Sequence, residues 1–132
     1  MSYLLDTHVL LWTLFEPDKM SSAAQTLIRD PRNEICISTI SFWEISLKYA
    51  LGKLTLVNCQ PDDLPGVAEE MGLTVIAPDA GECATFWRLP RLGHKDPFDR
   101  MLVWLAMQRK LCLITKDGRL PEYRELGLRT AW

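Results

Sequence analysis

The stretch that indicates the fold is Tyr3-Leu4-Leu5-Asp6-Thr7, near the start of the chain. Its apolar residues suit a short buried strand, and the polar pair ends that strand. Thr7 can then cap a helix that carries Val9, Leu10 and Trp12. We therefore expect a buried strand that leads directly into a helix.

The same alternation of strand and helix continues along the chain. Further strands are predicted at 35–38, 73–76, 111–115 and 128–131, the last at a sheet edge, and further helices at 21–29, 41–51, 61–71, 79–88 and 96–110. Such alternation favours right-handed βαβ units, whose parallel strands form one sheet covered on both faces. The predicted fold class is α/β, a three-layer α/β/α sandwich with a mostly parallel central sheet of four to five strands. Because no repeat or linker interrupts it, residues 1–132 are predicted to form a single domain.

Composition places the chain among ordinary globular proteins. Its 132 residues are 48% hydrophobic and 24% charged, which is enough apolar material for one core. No basic stretch precedes the first apolar run, and the longest apolar stretches are far shorter than the ~20 residues of a membrane span. We therefore expect a cytoplasmic protein.

Cysteine and histidine spacing argues against several kinds of site. The four cysteines lie more than twenty residues apart and form no C-x-x-C pair, so neither a zinc site nor a disulfide framework is predicted. His8 and His94 are isolated in the sequence. Their positions therefore do not predict a catalytic Ser/His/Asp or Cys/His arrangement.

Four acidic residues are predicted to meet at one edge of the sheet. Asp6 ends the first strand and Asp117 follows the fourth, while Glu44 and Asp99 lie in the first turns of helices. Ligands collect at the carboxyl ends of parallel strands, so these side chains should converge. Two carboxylates ~4 Å apart repel by about 4 kcal/mol at an effective dielectric constant of about 20, so four of them require a counter-charge. Carboxylate sites without His or Cys favour Mg²⁺ or Mn²⁺.

Each acid also has an ordinary structural explanation. Asp6 can cap a helix, Ser41-Phe42-Trp43-Glu44 fits a capping box, and Asp96-Pro97-Phe98-Asp99 fits a helix start. Lys116-Asp117-Gly118 fits a turn. Only the expected gathering of the acids at one edge favours a functional site.

The distribution of charge gives a second, weaker indication of a site that binds a phosphate backbone. The formal net charge is −2, which is not typical of a nucleic-acid-binding protein. However, the cationic stretch 88–95 adjoins Asp96 and Asp99. A basic rim beside an acidic site can hold a phosphate backbone over bound metal, although a solvated basic loop explains the same pattern. The candidate phosphate contacts are Lys48, Arg91, Lys95, Arg100 and Lys116.

Four sequence blocks carry a resemblance to a known family. They are Leu4–His8, Ile40–Ile45 with Leu51–Leu54, His94–Leu102 and Leu113–Asp117. In this order they resemble the PIN domain, and in particular the VapC-type toxins of bacterial type II toxin–antitoxin pairs. The block His-x-Asp-Pro-Phe-Asp-Arg is the most specific of the four.

The resemblance implies an endoribonuclease that uses Mg²⁺ or Mn²⁺, works as a homodimer and is silenced by a small cognate antitoxin. Metal-activated water would attack an RNA phosphodiester in line. The resemblance also implies roles for individual residues. The catalytic quartet would be Asp6, Glu44, Asp99 and Asp117, with Asp6 and Asp99 as principal metal ligands and with Thr7, Asp96 and Thr115 in support.

Two helices carry more apolar residues than one buried stripe needs. The first has Leu11, Trp12 and Phe15 on more than one face, and the long helix has Val103, Trp104 and Met107 outside its core stripe. Burial in the core is the ordinary explanation. A dimer face or an antitoxin groove is the alternative.

Three other functions fit part of the pattern. A PIN nuclease of RNA maturation or decay would have the same site and no antitoxin. A remnant that only binds RNA is disfavoured because the four acids are present. A receiver-like phosphoacceptor domain also places acids at a sheet edge, but it needs paired acids after the first strand, where this chain has Asp6 and Thr7.

Overall fold

The computed structural model describes residues 1–120 and 122–132 in full and residue 121 without its side chain. Five strands and six α-helices lie within this described part. The strands are β1 (Ser2–Leu5), β2 (Glu34–Ser38), β3 (Thr74–Ile76), β4 (Cys112–Ile114) and β5 (Arg129–Ala131). The helices are α1 (Thr7–Phe15), α2 (Ser22–Arg29), α3 (Thr39–Ala50), α4 (Leu64–Glu70), α5 (Ala80–Thr85) and α6 (Pro97–Arg109). Short 3-10 segments span Pro17–Lys19, Pro61–Asp63, Phe86–Arg88 and Leu120–Leu126.

The strands form one parallel sheet in the order β3-β2-β1-β4-β5. The central strand β1 places Leu4 opposite Cys36 on one side and Leu113 on the other. The chain adds β2 and β3 on one side of β1, and β4 and β5 on the other, so a topological switch point lies between β1 and β4. This order differs from the 2-1-3-4-5 order of receiver domains. The receiver-like alternative is therefore wrong.

Alternating strand residues build a hydrophobic core on each face of the sheet. Leu5 packs with Val9 and Leu10 of α1 on one face, and Leu4 packs with Leu102 and Leu105 of α6 on the other. All six side chains are fully buried. The three-layer α/β/α prediction, with β5 at the sheet edge, is confirmed.

The structure decides or changes two predicted helix starts. Of the two residues that could cap α1, the cap is Asp6 and not Thr7, because the Asp6 carboxylate accepts a hydrogen bond from the Val9 amide. Helix α3 begins at Thr39, where Ser38 at the end of β2 caps the Ile40 amide, so the capping box predicted from Ser41 does not form. The earlier start places Glu44 in the second turn of α3 and within its buried face.

Two apolar residues of α6 follow the ordinary explanation, burial in the core, and not the alternative of a dimer face or an antitoxin groove. Val103 and Trp104 are buried, because the segment around α5 and the segment after β4 cover that side of the helix. The Trp104 indole donates to the Glu82 carbonyl oxygen at 3.0 Å.

Among the described residues, no helix is both long and apolar enough to cross a membrane.

Candidate active site

Asp6 lies at the topological switch point of the sheet and is held there from two directions. One carboxylate oxygen, Oδ1, accepts from the Val9 amide at 2.8 Å, and the other accepts from the Thr115 hydroxyl. Burial raises the pKa of Asp6 above its ordinary value of 3.8, although both hydrogen bonds act to lower it. Asp6 is therefore a rigid carboxylate whose charge lacks full compensation.

Asp99 reaches the same region from the first turn of α6. Asp96 caps this helix by accepting from the Phe98 amide at 2.8 Å and the Asp99 amide at 3.3 Å. The pKa of Asp99 is raised to about 6, first by burial and then by the nearby charge of Asp96, with smaller contributions from Glu44 and Asp6. Asp99 is therefore a partly buried carboxyl group that lies near other acidic side chains.

His94 is the main feature of this region that the sequence interpretation missed. Its ring is 1% exposed, and its Nε2 lies 3.0 Å from Oδ2 of Asp99. One ligand atom from each of His94, Asp99 and Asp117 lies within 4.8 Å of the others. The sequence offered one signal for a role of His94 in the site: it lies five residues before Asp99, in the same sequence block.

Asp117 follows β4 and pairs with Arg119. Its Oδ1 accepts from the Arg119 amide at 2.9 Å, and its Oδ2 lies 3.1 Å from the guanidinium. Burial acts to raise the pKa of Asp117, but the hydrogen bonds from Arg119 outweigh it and the pKa falls below its ordinary value. The Asp117 amide donates to the Thr115 hydroxyl oxygen at 3.0 Å, so Thr115 links Asp6 to Asp117.

An open cavity of about 490 Å³ lies against Asp6, Asp99 and Asp117, and His94 is not among its lining residues. We call it the acidic cavity. Its lining residues are Asp6, His8, Trp12, Asp96, Asp99, Lys116, Asp117 and Arg119. Three of the four predicted catalytic acids therefore share one cavity with the predicted supporting residue Asp96.

Glu44 lies beside the acidic cavity and does not line it. Its side chain is 2% exposed and forms an ion pair with Lys48, while its Oε1 has no hydrogen-bond partner among the described residues. It lines a neighbouring pocket of about 230 Å³, and His8 lines both spaces. The charge of Glu44 nevertheless reaches Asp99, whose pKa it helps to raise.

The two threonines that were predicted to support the site have different hydrogen-bond partners. The Thr115 hydroxyl contacts Asp6, as expected for a residue that orients a carboxylate. The Thr7 hydroxyl instead donates to Oγ of Ser41 at 3.0 Å and joins α1 to α3. Among the described residues, Thr7 makes no hydrogen bond to a carboxylate.

The five predicted phosphate contacts also lie in different places. Lys116 lines the acidic cavity, with its ammonium 5.8 Å from the centre of the Trp12 ring. Arg91 and Lys95 are exposed in the loop before α6. Lys48 is paired with Glu44. Arg100 donates to the Leu89 carbonyl oxygen at 2.9 Å and does not line the acidic cavity.

A parallel α/β sheet with carboxylates gathered at its switch point defines a class of proteins whose ligands bind at the carboxyl edge of the sheet. The family model of the PIN domain matches residues 3–126. The ribonuclease VapC22 of Mycobacterium tuberculosis is 31% identical over 129 residues, which cover 98% of this chain and 97% of that protein. The chain belongs to the PIN-domain family.

Solved structures show the same fold. The DNA-bound VapBC complex of Salmonella typhimurium contains a chain with a TM-score of 0.67 and 24% identity, and the match covers 99% of this chain and 97% of that one. VapBC2 of Rickettsia felis, bound to a promoter DNA fragment, contains one with a TM-score of 0.66 and 17% identity, covering 99% and 98%.

Proposed function

We propose that this chain, as a single PIN domain over residues 1–132, is a divalent-metal-dependent endoribonuclease and the toxin of a type II toxin–antitoxin pair. The observation that carries the proposal is the meeting of Asp6, Asp99 and Asp117 around the acidic cavity, although they come from distant parts of the sequence. The ribonuclease name of the relative in M. tuberculosis supports RNA as the substrate class.

The side chains at the acidic cavity fit a divalent cation. Burial and neighbouring negative charge raise the pKa of Asp99 to about 6, which is the electrostatic situation that a cation relieves. Asp6, Asp99 and Asp117 would hold Mg²⁺ or Mn²⁺, and His94 lies within reach of two of them. When bound, such an ion neutralises charge on a phosphoryl group and lowers the pKa of a bound water.

The protein's own residues prepare this site. The Val9 amide and the Thr115 hydroxyl fix both oxygens of Asp6, so its carboxylate needs no reorganisation when substrate binds. Lys116 and Arg119 place positive charge on the cavity wall, where they would neutralise phosphates of the RNA strand. Glu44, held by Lys48, would add negative charge from the adjoining pocket.

A groove beside the acidic cavity suits the proposed antitoxin. The groove has a volume of about 490 Å³ and is lined by Leu11, Trp12, Phe15, Glu16, Thr55, Leu56 and Val57. Val57 is 77% exposed. Because Trp12 lines both the groove and the acidic cavity, a protein segment in the groove would also restrict access to the acids. The VapBC complexes among the structural relatives support a partner of this kind.

The test is RNA cleavage by the purified chain with and without Mg²⁺ or Mn²⁺. Asp6→Asn should reduce the cleavage rate by about 100-fold or more, because it removes charge at the centre of the site. Asp18→Asn, at an exposed acid outside the cavity, is the matched control and should cleave normally. A folded Asp6→Asn protein with full activity would refute the proposal.

The partner and the oligomer need separate measurements. If a small protein is encoded beside this gene, its co-expression with this chain should yield an inactive complex. Val57→Asp should weaken that complex without reducing RNA cleavage by the free chain. RNA cleavage without any inhibitory neighbour would favour the maturation or decay nuclease. Sedimentation equilibrium tests the proposed homodimer.

A further inference from the structure

Arg119 forms an ion pair with Asp117 at the wall of the acidic cavity. Its Nε lies 3.2 Å from Oδ1 of the carboxylate, and a terminal guanidinium nitrogen lies 3.1 Å from Oδ2. Lys116 also lines the cavity, but its ammonium lies 5.8 Å from the centre of the Trp12 ring and forms no ion pair among the described residues. Arg119 therefore supplies a counter-charge to the acids from within the chain.

The positive charge of Arg119 also reaches the acids at the start of α6. The pKa of Arg119 is raised above its ordinary value, first by the hydrogen bond to Asp117, and the charges of Asp99 and Asp96 add to the rise. One carboxylate oxygen of Asp99 lies within 4.8 Å of one of Asp117. A divalent cation held between these two carboxylates would share Asp117 with the guanidinium, and the two positive charges would repel each other.

The ion pair between Arg119 and Asp117 can be broken at low cost. The side chain of Arg119 is 66% exposed, and that of Asp117 is 22% exposed. Because water solvates an exposed guanidinium well, an ion pair of this kind contributes little to stability. A divalent cation attracts a carboxylate more strongly than a single positive charge does, so it can replace the guanidinium at Asp117.

Asp117 does not depend on the guanidinium for its position. Its Oδ1 accepts from the backbone amide of Arg119 at 2.9 Å, and its own amide donates to the Thr115 hydroxyl oxygen at 3.0 Å. Both donors are backbone groups, so these hydrogen bonds remain when the side chain at position 119 moves or is replaced. The guanidinium can therefore serve a second partner while Asp117 stays in place.

A phosphate group is the second partner that the guanidinium fits. Its parallel N–H donors match two oxygens of a phosphate as well as they match those of a carboxylate. The proposed function brings RNA phosphates to the acidic cavity, whose lining includes Arg119. In the metal-free protein a phosphate must compete with Asp117 for these donors, whereas a bound cation compensates Asp117 in their place.

We propose that Arg119 is an exchangeable counter-ion, which pairs with Asp117 in the metal-free protein and with a phosphate of the RNA strand once Asp117 binds the divalent cation. This inference rests on the proposed ribonuclease function and adds an order of events to it. The released guanidinium gives the metal-loaded site a phosphate contact that the metal-free site withholds. Arg119 thereby couples the binding of metal to the binding of RNA.

The first test is the sign of the effect on metal binding. In isothermal titration calorimetry without RNA, Arg119→Met should bind Mn²⁺ about tenfold more tightly than wild type, because the cation no longer has to displace the guanidinium. Lys116→Met removes an equal charge from the same cavity. It should change the Mn²⁺ affinity by less than about twofold, since an exposed charge without a carboxylate partner is screened by salt. Thermal unfolding verifies the fold of each variant.

The second test is whether metal controls the contribution of Arg119 to RNA binding. Anisotropy of a fluorescein-labelled single-stranded oligoribonucleotide is read before cleavage, and a denaturing gel verifies that the strand is intact. Arg119→Met should weaken RNA binding about tenfold in Mn²⁺ and by less than about twofold in EDTA. Lys116→Met should weaken it by a similar factor in both conditions. Arg124→Met, whose guanidinium binds the Thr130 hydroxyl outside the cavity, should bind as wild type does.

A third test uses the metal-free protein alone. Asp117→Asn keeps the shape of the side chain and removes the charge that holds the guanidinium. In EDTA, Arg119→Met should therefore weaken RNA binding about tenfold in the Asp117→Asn background, compared with less than about twofold in the wild-type background.

Four results would overturn the inference. Equal or weaker Mn²⁺ binding by Arg119→Met would show that the guanidinium does not compete with the cation, and an equal gain in Lys116→Met would reduce the effect to general charge. An equal loss of RNA affinity in Mn²⁺ and in EDTA would make Arg119 a permanent phosphate contact. Equal effects of Arg119→Met in the two metal-free backgrounds would exclude the exchange. If all three tests succeed and the wild-type chain cuts no RNA, the proposed ribonuclease function fails and the exchange at Arg119 stands.

Discussion

The Thr115 hydroxyl donates a hydrogen bond to the Asp6 carboxylate across 109 positions of sequence. The contact joins the ends of β1 and β4, which are neighbours in the sheet. The same hydroxyl oxygen accepts from the Asp117 amide at 3.0 Å. One small side chain therefore sets the relative positions of two carboxylates at the acidic cavity.

Thr115→Val should disturb the acidic cavity while preserving the shape of the side chain. The variant leaves the buried Asp6 oxygen without its donor, so the free energy of unfolding should fall by about 1–3 kcal/mol. RNA cleavage should fall about tenfold, because Asp6 and Asp117 lose their common link. Urea denaturation and cleavage kinetics measure the two effects. Thr115→Ser, which keeps the hydroxyl, should restore both, and a Val variant as active as wild type would contradict the role.

Asp99→Asn should stabilise the metal-free protein at neutral pH. The native pKa of about 6 lies above the ordinary 3.8, so between these values the folded state binds more protons than the unfolded state. Stability conferred by the protonated form is therefore present below about pH 4 and is lost as the pH rises through about 6. Urea denaturation in EDTA should show the Asn variant to be about 1–2 kcal/mol more stable than wild type at pH 7.5, with the difference vanishing near pH 4. An equal difference at both pH values would contradict the electrostatic cause.

The amino-acid sequence was sufficient to predict the sheet and the meeting of three of the four predicted acids. Short apolar runs such as Tyr3–Leu5 located the strands, and the geometry of parallel strands placed Asp6 and Asp117 at one edge. The long helix that begins after Asp96 was also predicted correctly, because Asp followed by Pro is a strong local signal for a helix start.

Features that depend on tertiary contacts were not predictable. Both Ser38 and Ser41 have side chains that can cap α3. Ser38 is the cap because β2 ends at this residue. His94 appeared isolated because its partner becomes close only when the loop before α6 folds back. For Trp104 the sequence left both core burial and an exposed interface open, since periodicity along α6 does not show that a second layer of chain covers that face.

His94 is expected to position Asp99 for metal binding. Its Nε2 lies 3.0 Å from the Asp99 carboxylate, so His94→Ala should weaken Mg²⁺ and Mn²⁺ binding by a similar factor of about ten. Isothermal titration calorimetry of both ions measures this. A loss confined to Mn²⁺ would instead indicate that the imidazole is a direct ligand, because Mg²⁺ is a hard cation that takes oxygen ligands. Unchanged affinity for both ions would show that His94 has neither role.

Lys48 is expected to stabilise the fold by compensating the buried charge of Glu44. The Glu44 side chain is 2% exposed, whereas that of Lys48 is 33% exposed and forms the ion pair from the next turn of α3. Lys48→Met leaves a buried carboxylate without its cation, so the free energy of unfolding at pH 7 should fall by about 2–4 kcal/mol.

Lys53→Met is the matched control, because Lys53 is exposed and lines the same small pocket without an ion pair among the described residues. In the double variant Glu44→Gln/Lys48→Met most of the lost stability should return, since the uncompensated charge is gone. If the Lys48→Met and Lys53→Met proteins have the same free energy of unfolding, but Lys48→Met binds RNA more weakly, the main role of Lys48 is to contact the phosphate backbone of RNA.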